Sequence, residues 1–224
     1  MPDDDLSVKN EDLLLSSAFI DDAVKRADIR TLYAFFDVLR EVPERVTQPL
    51  MGEIRLRWWY EAVEEIMAGA PVRYHPLSAA LEGMFGRYTL DGQILLDLIE
   101  GQMVLLDKQP LSHKDALTLA DRSEVLLARI AAQVLAPDTD ATTLAEPARY
   151  YALARLHAGQ MIAPPAPQFT SLREEAKAAF RRIPTSLTPL AAHAALASDY
   201  AKQTHTGPLM RRFKVFWAFL TARL

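Results

Sequence analysis

Asp37, Glu41 and Glu44 recur at i, i+4 and i+7, so a helix drawn through them carries three carboxylates along one face. Hard oxygen ligands of that kind could hold Mg2+, which usually shares its coordination sphere with substrate phosphates. Arg40 and Arg45 stand among them, and the spacing alone favours a solvated acidic face neutralised by those arginines. Downstream, Glu53, Arg57 and Glu61 follow one another at i, i+4, the spacing for mutual ion pairing. Between them lie Trp58 and Trp59. Adjacent helical residues point about 100° apart, so both indoles can be buried only if their helix is covered on two sides. Packing of a central helix explains the pair better than an aromatic ligand platform does.

Other chemistry is excluded more simply. The five histidines never fall at metal-ligand spacing and no HExxH pattern occurs. The eight glycines are scattered singly, which leaves no phosphate loop, and no serine occupies a G-x-S-x-G elbow. There is no cysteine, so disulfides, thiolate metal sites and a cysteine nucleophile are ruled out. The segment Leu209 to Leu220 is basic and amphipathic, with Leu209, Phe213, Phe216, Trp217 and Leu220 on one face and Arg211, Arg212 and Lys214 elsewhere. Such a helix could lie on an anionic membrane or dock on a partner; closing the domain's own core is the commoner use and the one expected.

The elements that must position these residues are helical throughout. Leu32, Phe35, Phe36 and Leu39 keep the i, i+3, i+4, i+7 pattern, which leaves Tyr33, Asp37 and Arg40 on another face. Pro43 is expected to end that helix or begin a turn, and Thr47-Gln48-Pro49 to introduce a second running from about Gly52 to Ala68. Further helices are expected at about 76–88, 91–106 and 146–161, and over a long stretch from the cap Ser112 to about Leu135. Three prolines within 163–167 break the pattern. A capping box at Ser171-Glu174 opens a helix to about Arg182, followed by helices at about 185–203 and 208–222. No segment alternates as a strand would.

Of the 224 residues, half are hydrophobic and about a quarter charged, and the formal net charge is −4. Those proportions are ordinary for a globular domain, and the acidic balance argues against nucleic acid as a partner. The N-terminus is acidic where a signal peptide would be basic, and no apolar run approaches the ~18 residues of a membrane span. A cytoplasmic protein is expected, with contact at the inner face of a membrane through Leu209–Leu220 as the alternative use of that segment.

Leu32-Tyr33-Ala34-Phe35-Phe36, followed by Arg40-Glu41-Val42 and by Pro49 to Trp59, resembles the squalene/phytoene synthase family. More narrowly it is similar to the branch that includes assembly factors of respiratory complex I. Leu98-Ile99-Glu100-Gly101 is similar to the family's central helix, and Gly159 to Pro164 to its Gly-Arg-x-x-Leu-Pro element. The resemblance implies an all-α fold, a single isoprenoid-synthase-like helical bundle over residues 12–224 around a central cavity, after a flexible acidic N-terminus at 1–11. Active members of that family join two prenyl diphosphates head to head, with Mg2+ held by two aspartate-rich motifs on facing helices. Departure of diphosphate leaves an allylic cation, so metal must neutralise the leaving group while apolar walls exclude water.

This chain departs from that pattern. The first motif falls on Arg40-Glu41-Val42-Pro43-Glu44, where Arg40 brings a positive charge to a place meant for a carboxylate. No aspartate occurs between Asp140 and Asp199, so the second motif is missing, together with a piece of its helix that would reduce the cavity. On the central helix the family's aspartate position holds Leu105, and Asp107 comes two residues late.

The expectation is therefore a non-catalytic relative acting in binding or assembly of a membrane-associated complex, with a protein or an apolar prenyl or lipid chain as partner and no cofactor. The alternatives are a Mg2+-dependent prenyl diphosphate transferase with a divergent site, or a module that binds prenyl chains unreacted. The candidate site residues are Tyr33, Asp37, Arg40, Glu41, Glu44, Arg55 and Arg57, with Glu41, Glu44 and Asp37 on metal and Arg55 or Arg57 on diphosphate if the enzyme alternative holds. That alternative needs a further carboxylate facing Glu41 and Glu44 across an open cavity.

Overall fold

The computed structural model describes residues 7–224; the acidic segment expected at 1–11 lies outside the described residues as far as position 6. Helix α1 (Glu11–Ser17) is capped by Asn10, whose side chain accepts the amides of Asp12 and Leu13. Helix α2 (Ala23–Arg45) opens on Asp22, which accepts the amides of Val24 and Lys25 at 2.8 and 3.0 Å. It touches α1 and, in order, α3 (Pro49–Met67), α4 (Pro76–Arg87), α5 (Gly92–Met103) and α7 (Leu126–Leu135). A helix enclosed in this way buries more than one face, and Tyr33 and Asp37 are buried along with Leu32, Phe35, Phe36 and Leu39. Tyr33 and Asp37 do lie off that stripe but are covered as well, so the solvated acidic face expected through Asp37 is corrected at that residue.

Pro43 does not end α2, which runs two residues further. A proline lacks only its own amide and clashes only with the turn before it. Sitting in the last turn, it costs one hydrogen bond, and the helix still closes with Val46 N–H on the Val42 carbonyl at 3.2 Å. Helix α3 begins on Pro49 itself, as proline at the first helical position favours. Arg73, in the loop after α3, clasps that helix: it meets Glu65 at 2.6 Å and Glu61 at 3.1 Å and lies over Trp58.

The long helix expected from Ser112 to about Leu135 forms without a break, as α6 (His113–Ala120) and α7 continued into each other through one π turn at Asp121–Val125. Ser112 caps α6, accepting from the Asp115 amide at 3.2 Å. Gly101 on α5 meets this π turn: a methyl group there would stand 3.0 Å from the Arg122 carbonyl oxygen. That neighbour is backbone and cannot yield cheaply. Gly101→Ala is accordingly expected to lower stability by about 1–3 kcal/mol, read as an earlier urea midpoint at unchanged slope; an unchanged midpoint would refute the close approach.

Helix α8 (Ala145–Ala158) reverses through Gln160, a non-glycine residue at φ 57°. The chain then pairs with the segment before α6: the Leu111 amide donates to Met161 at 2.8 Å and the Ala163 amide to Leu111 at 2.9 Å. No strand forms among the described residues. Helix α9 (Phe169–Phe180) starts two residues before the expected capping box, and Ser171 donates to the Gln168 carbonyl instead of capping. The helix expected at 185–203 is broken. Thr185–Leu190 and Ala192–Leu196 are 3-10 turns, with Pro189 inside the first, and only α10 (Ala197–Ala201) is α-helical. Proline deletes the donor an α-helix needs there, and the shorter turns bury Leu187, Leu190 and Leu196 all the same.

Helix α11 (Pro208–Thr221) corrects a further expectation. Val215 and Ala218 face inward, while Leu209, Phe213, Phe216, Trp217 and Leu220 stand exposed, Leu209 at 80%. The face expected to close the core is turned outward, because α11 docks through Val215, Ala218 and Phe219, which stacks on Phe19 at 4.4 Å, and through two ion pairs. Arg211 meets Asp12, and Lys214 meets Asp199 at 2.5 Å. Among the described residues no helix is long and apolar enough to cross a membrane.

Candidate functional site

A cavity of about 240 Å³ opens beside the C-terminal half of α2. Arg40 and Glu44 reach it from α2, Gln102 and Leu105 from the end of α5, Ser123 and Glu124 from the π turn, and Arg155 from α8. A vestibule of about 350 Å³ adjoins it, sharing Arg40, Glu44 and Met161 and adding Lys108 and Gln109. Lys108 is held away by the Val46 carbonyl, to which its ammonium donates at 2.6 Å. Leu105 lines the cavity and Asp107 is exposed. Helix α5 has already ended at Met103, so both lie in the following turn.

The seven residues singled out by sequence do not assemble there. Tyr33 is in the core, where burial pushes its phenol up. Asp37 is buried, and one of its oxygens accepts the amides of Lys9 and Asn10 at 2.8 and 3.0 Å. Burial raises its pKa, against the lowering pull of those amides, Arg40 and Arg155. Glu41 faces the other side of α2, bridged by Lys9 at 2.7 Å and Arg45 at 2.9 Å. Only Arg40 and Glu44 reach the cavity.

Arg55 and Arg57 lie elsewhere because α3 presents them to other neighbours. Arg57 pairs with Glu61 at 3.0 Å on the surface, as the i, i+4 spacing predicts. Arg55 lines a second, largely apolar groove of about 310 Å³ with Trp58, Trp59 and His75. Trp59 is buried edge-on against Phe35, and Trp58 is half-buried. The pair therefore serves packing and also borders a groove.

Sequence reasoning missed Arg155, Glu124 and Gln102. Arg155 is half-buried, with a guanidinium nitrogen 3.4 Å from the Tyr151 hydroxyl and its charge over that ring at 5.5 Å. Burial opposes its charge, but Tyr151 and Glu124 more than compensate, and its pKa is raised. Glu124 accepts from the Ser123 hydroxyl beside it. Gln102 is 1% exposed, and its carboxamide oxygen has no hydrogen-bond partner. A π turn is itself a signal of a site, but helical periodicity does not reveal one.

Behind the cavity Asp12, 1% exposed, accepts from Tyr151 at 2.9 Å and Tyr200 at 2.7 Å and pairs with Arg211. It ties α1, α8, α10 and α11 together. Nothing in its sequence context set it apart from a solvated first-turn acid.

The described residues form an all-α bundle with a polar cavity, the isoprenoid-synthase-like fold of the solved structures it is similar to. Residues 8–161 match the squalene/phytoene synthase family, and the chain belongs to it. Among solved structures it is similar to a dehydrosqualene synthase crystallised with a ligand, with 14% identity, 95% of this chain and 92% of that one covered, and a TM-score of 0.71. It is similar too to the squalene synthase HpnC of Alicyclobacillus acidocaldarius, with 14% identity, 97% and 91% covered, and a TM-score of 0.62. At that identity the likeness concerns the fold. No curated protein sequence matches the chain.

The residues present do not suit the metal that the family resemblance implies. Among the described residues no three His, Cys, Asp or Glu side chains come together as a metal cage. Glu44 shares the cavity lining with another carboxylate, Glu124, but the lining also carries two arginines, Arg40 from α2 and Arg155 from α8. A guanidinium never deprotonates in a protein, so both oppose a divalent cation.

Proposed function

We propose that this protein binds rather than converts: it is a non-catalytic squalene/phytoene synthase-like protein that acts in binding or assembly of a membrane-associated complex. What supports the reading above all is the exchange of charge in the cavity, where Arg40 and Arg155 stand and Asp37 and Glu41 are committed elsewhere. The resemblance to the branch with respiratory complex I assembly factors points the same way. A polar cavity and the apolar groove beside Trp58 and Trp59 offer places for a ligand or a partner's side chains. Deleting the protein from its cell is expected to impair assembly of a membrane complex while isoprenoid levels stay unchanged; a fall in isoprenoids with assembly intact would overturn the proposal. Native mass spectrometry in excess chelator separates a further form of the reading, retention of an unreacted prenyl or lipid chain, since that binding needs no metal.

The outward face of α11 is the membrane contact in this reading. Burying an aromatic side chain is worth about 1.5–3 kcal/mol, so Phe213→Ser or Trp217→Ser should each weaken flotation with anionic vesicles by about tenfold or more. Arg212 and Arg223 are exposed beside that face, so raised salt should weaken flotation as well. Variants that float like the parent would remove α11 from the contact.

The observation that favours the enzyme alternative is that Glu124 and Glu44 line the same cavity. Mg2+ can be held by one or two carboxylates when a substrate phosphate completes its shell. The two arginines weigh against it.

A further inference from the structure

Beyond α11, exposed large apolar side chains gather on one further surface. Leu50, Met51 and Ile54 are exposed on the first half of α3, Leu50 at 63%, and Met103 and Val104 are exposed at the end of α5, which packs against α3. Leu50, Ile54 and Trp58 follow one another at i, i+4 and i+8, so they form one line along the helix. Trp58 borders a groove on each side of that line. The groove of about 310 Å³ has Val38, Val42 and Arg55 on the α2 side, and another of about 550 Å³ has Leu50, Ile54 and Met103 on the α5 side. Neither shares a lining residue with the polar cavity. The indole is held in place, edge-on to Trp59 at 4.8 Å and covered at 5.3 Å by Arg73, which Glu61 and Glu65 fasten. The two grooves differ in charge. On the α2 side Glu41 is the one acid among the described lining residues, and Lys9 and Arg45 already bridge it at 2.7 and 2.9 Å. Arg55 is exposed there and makes no ion pair among the described residues. On the α5 side Glu53 is exposed, and Arg57 is paired with Glu61.

We propose that this face of α3 docks a segment of a partner protein that is acidic and apolar together, its carboxylate on Arg55 and its aliphatic or aromatic side chains in the grooves beside Trp58. The inference rests on the binding reading above and gives it a partner chemistry. A contiguous apolar surface outside the core marks an interaction site, and Trp and Arg are the residues on which binding energy concentrates. The charges set the direction in which the segment crosses. Its acid lies toward α2, where Arg55 is uncommitted, and its apolar side chains lie toward α5, where Glu53 would repel a carboxylate. A lipid tail wants one enclosed channel. Here the apolar surface is open and divided by Trp58, which suits side chains set apart along a polypeptide. Because the indole is already ordered, little conformational entropy is lost when it is covered.

Fluorescence anisotropy of a labelled peptide of alternating leucine and aspartate, titrated with the full chain, tests this; the same peptide with lysine for aspartate is the control. Saturable binding of the aspartate peptide is expected, weaker as salt rises. Arg55→Glu should weaken it by at least about tenfold and turn the preference toward the lysine peptide. Ile54→Ser should weaken it several-fold. Both side chains are exposed, so both variants should fold. Flotation with anionic vesicles should be unchanged in both, because that contact belongs to α11. Flotation lost with either variant would give this face to the membrane, and self-association lost with Ile54→Ser would give it to a second copy; each overturns the proposal. So does equal binding of the two peptides by the parent, or binding of neither. A gain of affinity on deleting residues 1–6, which include Asp3, Asp4 and Asp5, would show an acidic segment of the chain itself competing for the seat, and supports it. Failure of this docking site leaves the binding reading to the deletion strain, where impaired complex assembly would still uphold it.

Discussion

Asp12→Ala is expected to destabilise the fold by about 3–5 kcal/mol, the cost of breaking a buried ion pair by removing one partner. The carboxylate is enclosed, and it is the acceptor for Tyr151 and Tyr200 and the counter-charge for Arg211. Truncating it leaves two phenols without their acceptor and a guanidinium, itself three-quarters enclosed, without its anion. At about 2–4 °C per kcal/mol for a chain of this size, the melting temperature should fall by roughly 6–20 °C. Asp12→Asn keeps an acceptor and the volume but not the charge, and should fall between. Because the Asp12–Arg211 pair is one of two that seat α11, amide exchange in Pro208–Thr221 should rise more than in α2. A loss below about 1 kcal/mol would mean that Asp12 is a solvated acid after all.

Acid should find a second weak point in His193. It is enclosed in the core edge-on against Tyr151 at 4.6 Å, its backbone amide donating to Ser16 at 3.3 Å. Desolvation holds it to about 4, against a smaller upward pull from Asp12 and with a further downward push from Arg155. The folded state thus binds the proton less readily than the unfolded chain, whose imidazole titrates near 6.5. Stability from this residue is complete above pH ~6.5 and is lost as pH falls toward ~4, by on the order of 3 kcal/mol in all. His193→Gln stays neutral throughout that window, so the difference in unfolding free energy between parent and variant should shrink or reverse on acidification. Parallel pH profiles over pH 4–7 would show that the imidazole is not buried neutral.

Much of the fold could be read from the sequence, for physical reasons that also mark the misreadings. Leu32, Phe35, Phe36 and Leu39 announced α2 because a helix with one covered stripe repeats every three to four residues. The same rule misled at Tyr33 and Asp37. A helix with neighbours on all sides buries polar residues too, and periodicity carries no mark of them. Pro43 was expected to end α2 yet sits harmlessly in its last turn, while Pro189 lies inside a segment expected to be one helix and turns it to 3-10 geometry. On α11 the apolar stripe was found correctly and faced the wrong way, since a stripe states amphipathicity and not what covers it.

The site was less legible than the fold. Arg40 and Glu44 were found because they fall on a recognisable motif. Glu124 and Arg155 come from elements about 80 and 110 residues later, and only the packing of α5 against both α2 and the π turn, with α8 on the π turn, brings them to one cavity. Leu105 and the missing second motif did show that carboxylates had been lost. No sequence pattern showed that arginine had taken a place on both walls.

The central claim, binding without conversion, is tested most directly by incubating the purified full chain with farnesyl diphosphate and Mg2+ and quantifying head-to-head condensed product. With Arg40 and Arg155 on the two walls, no product above a heat-inactivated control is expected. Time-dependent condensed product that disappears in Glu44→Gln and Glu124→Gln would contradict it and make this protein a synthase.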